Sequence, residues 1–185
     1  MQISNQTMEI LKNFATVNPS IAFKAGNKIR TVSEQKNILA EATVVEDFPK
    51  DFAIYELNQF LGLVSLFENG DMEFGDKRVT LTEGTTKSQY TYTDSSMVTT
   101  PPEKNIDLPS EEVSFSMSKD VFARVQNAAN QLQLPEIVVR GDGETVKLVA
   151  TDVKNPTSNE FAVNVGEDTH TFNFVFKTEN FKMIA

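Results

Sequence analysis

Residues able to act as nucleophiles, bases or metal ligands are few in this chain. Its 185 residues include no Cys and a single His, His170. That removes thiol nucleophiles, cysteine-held zinc or iron sites and disulfide scaffolds, and leaves a Ser–His relay without parts. His170 falls in an alternating run of Thr and Phe and reads as a strand surface residue. Gly84-Thr85-Thr86-Lys87-Ser88 is like the end of a phosphate loop, but no Gly stands four residues before a Gly-Lys pair and no helix follows. Arg140-Gly141-Asp142 reads as hairpin turn chemistry. Glu46, Asp47 and Asp51 could supply paired carboxylates for acid–base work, but they cluster around Pro49 and read as a solvated acidic loop. Asn5-Gln6-Thr7 fits a glycosylation acceptor, which has meaning only in a secreted protein. The expectation is a protein with no catalytic residues, no metal site and no cofactor.

The remaining composition says what such a chain can be. At 20.6 kDa, with 39% hydrophobic residues, it has room for one large domain or two small ones around a real core. Fourteen Phe argue against disorder, because disordered chains are poor in aromatics. The start, MQISNQTMEIL, lacks a basic stretch followed by an apolar one, so no signal peptide is expected. The longest apolar stretch, 60–67, is too short to span a bilayer. A soluble, intracellular protein with no membrane partner is expected. The net charge of −9 is unevenly placed. Residues 1–40 hold Lys12, Lys24, Lys28, Arg30 and Lys36 against Glu9 and Glu34, a net +3, so the rest carries −12. An acidic total opposes binding to nucleic acid unless the basic groups gather on one surface.

The elements that would position such a surface follow from pattern. Residues 4–18 predict a helix capped by Ser4 and stopped by Pro19, with Met8, Leu11, Ala15 and Asn18 on one stripe. IAFKAGNKIRTV reads as a hairpin around Ala25-Gly26-Asn27. Strands are predicted at 40–45 and 52–55, then a mostly apolar helix over 56–67, then strands at 72–74, 78–81 and 89–93. Residues 97–110, with Pro101, Pro102 and Pro109, read as a linker. The order then recurs. A strand at 113–117 precedes a helix over 118–132, capped by Ser118, with Val121, Phe122, Val125, Ala128, Ala129 and Leu132 on its apolar face. IVVRGDGETVKLVA is a hairpin, 161–165 and 169–176 are strands, and TENFKM opens another short helix. The helices start near 4 and 118 and near 56 and 178, a repeat of roughly 114 to 122 residues that predicts two similar domains. About 30 residues of strand follow the second helix of the first unit, but only 7 follow its counterpart, so the expectation is that either the C-terminus is missing or the second sheet is incomplete.

Three strings carry a family resemblance. LKNFATVN at 11–18, AIYELNQFLG at 53–62 and NFKM at 180–183 resemble the sliding clamp of T-even-type bacteriophages, a DNA polymerase processivity factor. The likeness keeps its order from residue 1 to 185 and includes the KAGNK hairpin, the Pro-containing connector and the FNF strand. It implies an α+β DNA-clamp fold, with two similar domains each of two helices on a curved antiparallel sheet, forming a trimeric ring. The domains would be 1–100 and 111–185, the second incomplete at its C-terminus, joined by a connector at 101–110. Twelve helices packed about 10 Å apart make a circle roughly 38 Å across at their axes, which leaves a hole of about 28 Å, wide enough for duplex DNA.

The resemblance also implies a role and partners. Such a clamp holds double-stranded DNA by topology, without sequence preference and without a tight phosphate grip, and an acidic outer shell keeps DNA off the outside. Its implied partners are the phage DNA polymerase, the clamp-loader ATPase, the late-transcription sigma and co-activator, and two further copies of the chain in a homotrimer. The cytoplasm of the infected bacterial host is the implied location. The DNA-facing residues would be Lys12 and Thr16 on the first helix and Asn58 and Ser65 on the second. Lys119, Arg124, Asn127 and Gln131 would serve on the third, and Lys182 on the fourth. Asn5, Glu9 and Gly62 share those faces. Asn127 and Asn130 stand where T-even relatives carry more basic side chains, so attraction to DNA should be weak. The alternative is an acidic, clamp-folded adaptor that binds proteins without encircling DNA.

Overall fold

In this computed structural model, residues 1–104 and 110–183 are described, with side chains given through Phe181. The chain divides into two compact units, Met1–Lys104 and Asn105–Ala185. Residues 105–109 of the expected connector lie outside the described residues.

The first unit opens with α1 (Asn5–Ala15). Ser4 caps it, its Oγ accepting from Thr7 N, so one of the orphan N–H groups of the first turn is satisfied. Met8, Leu11 and Phe14 recur at helical spacing and are buried. Asn18 ends the segment in a buried bend, donating to Val32 O at 2.8 Å and accepting from Ser20 N and Ser20 Oγ at 2.9 Å. A buried amide on the apolar stripe is tolerated because those bonds satisfy it.

Four strands follow: β1 (Ile21–Phe23), β2 (Gly26–Val32), β3 (Leu39–Phe48) and β4 (Phe52–Ile54). The hairpin expected over 21–32 does not form. β1 pairs antiparallel with β4, and β2 pairs with β3. Two features divert the chain. Gly26 has a positive φ, which turns the backbone. Asp51 accepts from Ala25 N and from Lys24 Nζ, both at 2.8 Å, tying this turn to the approach of β4. The Phe23 and Phe52 rings then stack at 4.5 Å, with Phe48 tilted against both. Residues 46 and 47, read as an acidic loop, lie on β3, and Glu46 is buried.

α2 (Leu57–Val64) buries Leu57, Phe60, Leu61 and Val64. β5 (Asp71–Phe74), β6 (Arg78–Glu83) and β7 (Thr86–Thr91) form an antiparallel meander. Gly84, at positive φ, makes the turn between β6 and β7, so the 84–88 string is a hairpin and not a phosphate loop.

The second unit is built on α3 (Lys119–Gln131), capped by Ser118 Oγ accepting from Val121 N. β8 (Glu136–Asp142), β9 (Thr145–Thr151), β10 (Phe161–Glu167) and β11 (Thr171–Lys177) pair in the order β10-β9-β8-β11, all antiparallel. Phe122, Val125 and Ala129 pack on Ile137, Val139, Val146 and Leu148. The β8–β9 turn is the expected one: Asp142 accepts from Glu144 N, Thr145 N and Lys147 Nζ, and Gly143 has a positive φ. Gly141 must be glycine, because a Cβ there would sit 2.4 Å from the Phe172 ring and 2.7 Å from His170 O. His170 stands in the β10–β11 turn and not in a strand, its Nδ1 2.7 Å from Asp168 Oδ1.

One expected element differs here. Residues 113–117 keep the alternating burial of a strand, and Phe115 and Met117 pack on the core, but among the described residues no ladder partner meets them, so they form no strand. TENFKM forms the expected short helix, with 3₁₀ geometry, over Thr178–Met183. It is a short turn held by Thr178 N to Pro135 O and Thr178 Oγ1 to Leu134 O, and short pieces suit 3₁₀ geometry. The expected pair of helices on one sheet in each domain is therefore two α-helices over three small ladders in the first unit. In the second it is one α-helix and a 3₁₀ turn over four strands.

Candidate nucleic-acid interface

Each helix buries one stripe, and the opposite stripe is what it offers to a ligand. On α1, Asn5, Glu9, Lys12 and Thr16 are all exposed, as their spacing of three and four residues requires. Thr16 Oγ1 donates to Asn13 O at 2.7 Å, so its hydroxyl proton is committed to the helix end. On α2, Asn58, Gly62 and Ser65 are exposed, and Ser65 Oγ donates to Gly62 O at 2.7 Å. The residues of α2 carry no charge, and a Cβ on Gly62 would meet nothing within 4 Å. On α3, Arg124, Asn127 and Gln131 are exposed along one side, and Lys119 is exposed in the first turn, about 140° around the helix from Arg124. Asp120 is exposed as well and places an anion in the first turn. The side chain of Lys182 lies outside the described residues.

Of the strand and loop cations, Lys24, Lys28, Arg30, Lys50, Arg140, Lys147 and Lys177 each pair with a carboxylate, whereas Lys36, Lys77, Arg78, Lys87, Lys104 and Lys154 pair with none among the described residues. Among the described residues, Lys12, Lys119 and Arg124 form no ion pair. A cation without an internal partner keeps its full attraction for an outside anion, within the Debye length of about 8 Å at physiological salt. The arrangement offers a few exposed cations and amides per unit. That suits shallow contact with a phosphate backbone and has no fork aimed to read a base.

Comparison with known proteins decides what these faces belong to. A family model described as DNA polymerase processivity factor matches residues 4–99. The sliding clamp of Vibrio phage KVP40 is 35% identical over 192 residues, covering 100% of this chain and 86% of the relative. The chain belongs to the sliding-clamp family of DNA polymerase processivity factors.

The sliding clamp of Enterobacteria phage T4 is 28% identical over 197 residues, covering 99% of this chain and 83% of the relative. The fold is the α+β clamp fold. A structure of A. fulgidus PCNA, with the C-terminal region of FEN-1 bound, aligns with a TM-score of 0.67 at 13% identity, over 98% of this chain and 80% of that one. Entamoeba histolytica PCNA gives 0.63 at 12%, over 95% and 78%. At those identities the likeness is of fold. Processivity factors of this family act without catalysing a reaction. Among the described residues no group of three or more His, Asp or Glu could hold a metal ion, and no helix is long and apolar enough to cross a membrane.

Sequence reasoning missed one residue of this clamp's helix faces, because it acts from a strand. Glu46 is 8% exposed. Its Oε1 accepts from Ser4 N and its Oε2 from Thr7 Oγ1, each at 2.5 Å. Burial opposes its ionisation most strongly, but the bonds from Thr7 and Ser4 overcome that and hold the carboxyl below its ordinary value. The missed signal was the alternation through 44–48, in which Val44, Glu46 and Phe48 share the inward side.

Proposed function

We propose that three copies of this chain close a ring around duplex DNA and tether the phage DNA polymerase to its template. Dissociation of polymerase then becomes an intramolecular, quickly reversed event. The exposed stripes of α1, α2 and α3 turn toward the duplex, with Lys12, Thr16, Asn58, Ser65, Lys119, Arg124, Asn127 and Gln131 making contacts that are few, exchangeable and often bridged by water. Lys182 belongs to the same set by its place in the family resemblance.

One observation carries the reading of the surface: Lys12, Lys119 and Arg124 stand exposed on helix faces and form no ion pair among the described residues, so their charge is open to a phosphate. The two similar domains descend from a duplication, which supplies the near-equivalent pieces that a closed ring requires. The clamp-loader ATPase opens and closes the ring on DNA, and the late-transcription sigma and co-activator use the same tether in the cytoplasm of the infected host. These partners are supported by the family resemblance.

The test is retention on DNA circles. The ring predicts a light-scattering mass three times 20.6 kDa, retention on a closed circular duplex and release when the circle is cut. Binding that ignores DNA topology, with partner proteins still captured, would establish the adaptor reading, which the exposed Asn127 and Asn130 on α3 favour.

A further inference from the structure

We propose that Glu46 is a positioning residue for the DNA-facing stripe: it fixes the direction of α1 and so the place of Lys12. The proposal rests on the reading that Lys12 faces DNA.

Glu46 is a buried carboxylate lent to α1 by a neighbouring strand. α1 has no acidic residue in its first turn, and its only basic residue in the last turn is Lys12. Both carboxylate oxygens of Glu46 are used at the helix start, one on Ser4 N and one on Thr7 Oγ1, and Thr7 is itself buried. An anion at this end is favoured by the helix dipole and by the orphan N–H groups. Among the described residues Glu46 forms no ion pair, so its negative charge is held by the helix start itself.

The other end of the segment is pinned separately, by Asn18 to Val32 O. Leu11 and Phe14, both buried, fix how deep α1 sits. The hydrogen bonds at its two ends constrain its direction further, because such bonds weaken steeply when misaligned. Lys12 lies about 9 Å along the axis from the Asn18 pin. A swing of about 10° around that pin therefore moves Lys12 by roughly 2 Å, the difference between a direct phosphate contact and one through water. Neutralising Glu46 while keeping its shape should release the swing without opening the core.

The measurement is the salt dependence of the equilibrium binding constant for a short linear duplex, on which topology gives no hold, with thermal unfolding run alongside. Each phosphate contact contributes about 0.9 to the slope of log binding constant against log salt. Lys12→Gln should make that slope shallower by about that amount for each Lys12 that leaves a phosphate. Glu46→Gln and Thr7→Val should make it shallower to the same extent, Thr7→Ser should restore it, and Glu46→Gln added to Lys12→Gln should change it no further. If Glu46→Gln folds poorly, the Thr7→Val and Thr7→Ser pair carries the test. Wild-type slopes for Glu46→Gln and Thr7→Val beside a shallower Lys12→Gln would overturn the positioning role and leave the DNA-facing reading intact. A wild-type slope for Lys12→Gln would overturn the DNA-facing reading of Lys12, and this proposal with it.

Discussion

α1 and α3 solve one problem in two ways. Each begins on a serine whose Oγ accepts from the N–H three residues on, Thr7 for Ser4 and Val121 for Ser118. Each buries an apolar stripe and exposes a polar one carrying an unpaired cation. They differ in where the favourable anion comes from. α3 carries its own, the exposed Asp120. α1 has none and takes a buried one from β3, Glu46. A local, solvated charge contributes little and can be exchanged. A buried charge commits two elements to each other, because removing one partner strands the other without water. The start of α1 is therefore tied to another element, whereas the start of α3 is tied within its own helix.

The largest effect that would break this comparison is in the cores beneath the two helices. Phe122→Ala, at 4% exposure, should cost about 3–5 kcal/mol in urea unfolding, and Leu11→Ala, at 0%, about 2–5 kcal/mol. Near-neutral values would mean that the helices are not seated as described. Next comes the contrast itself. Glu46→Ala strands the Thr7 hydroxyl and the Ser4 N–H and should cost about 1–3 kcal/mol, whereas Asp120→Ala should cost about 0.3–1 kcal/mol. Equal losses would erase the distinction between the two ends.

The same contrast has a pH signature. Glu46 is held below its ordinary value of 4.5, so its contribution is present above that pH and lost as pH falls through the lowered folded value. Wild-type stability should therefore fall with acid more steeply than that of Glu46→Gln. Parallel acid curves for wild type and Glu46→Gln would contradict the buried-anchor account. The smallest expected effect is at α2. Gly62 has open space at its Cβ and no positive φ, so Gly62→Ala should stabilise by roughly 0.5–1 kcal/mol, seen as a raised Tm. A loss would show that the glycine is needed for packing.

Much of this was legible because it is local. The Ser4 and Ser118 caps, the apolar stripes of α1 and α3 and the turn at Gly141-Asp142-Gly143 each depend on residues within a few positions. The exposed faces holding Lys12, Thr16, Asn58, Ser65, Lys119, Arg124, Asn127 and Gln131 followed from helical period alone. The partners of the strands were not legible. β1 and β2 read as a hairpin because they are adjacent and short, but adjacency does not say whether Phe23 does better against Phe52. The weak strand at 113–117 failed for the same reason: its alternation is real, and a ladder needs a neighbour that local sequence does not name.

Sequence by itself determined the family, the absence of Cys, the charge imbalance and the helix faces, since composition and period need no knowledge of contacts. Tertiary structure alone decided that Glu46 is an anchor and not part of a solvated loop. A carboxylate's meaning depends on whether water or an N–H group meets it, and the groups that meet Glu46 are 39 and 42 residues away.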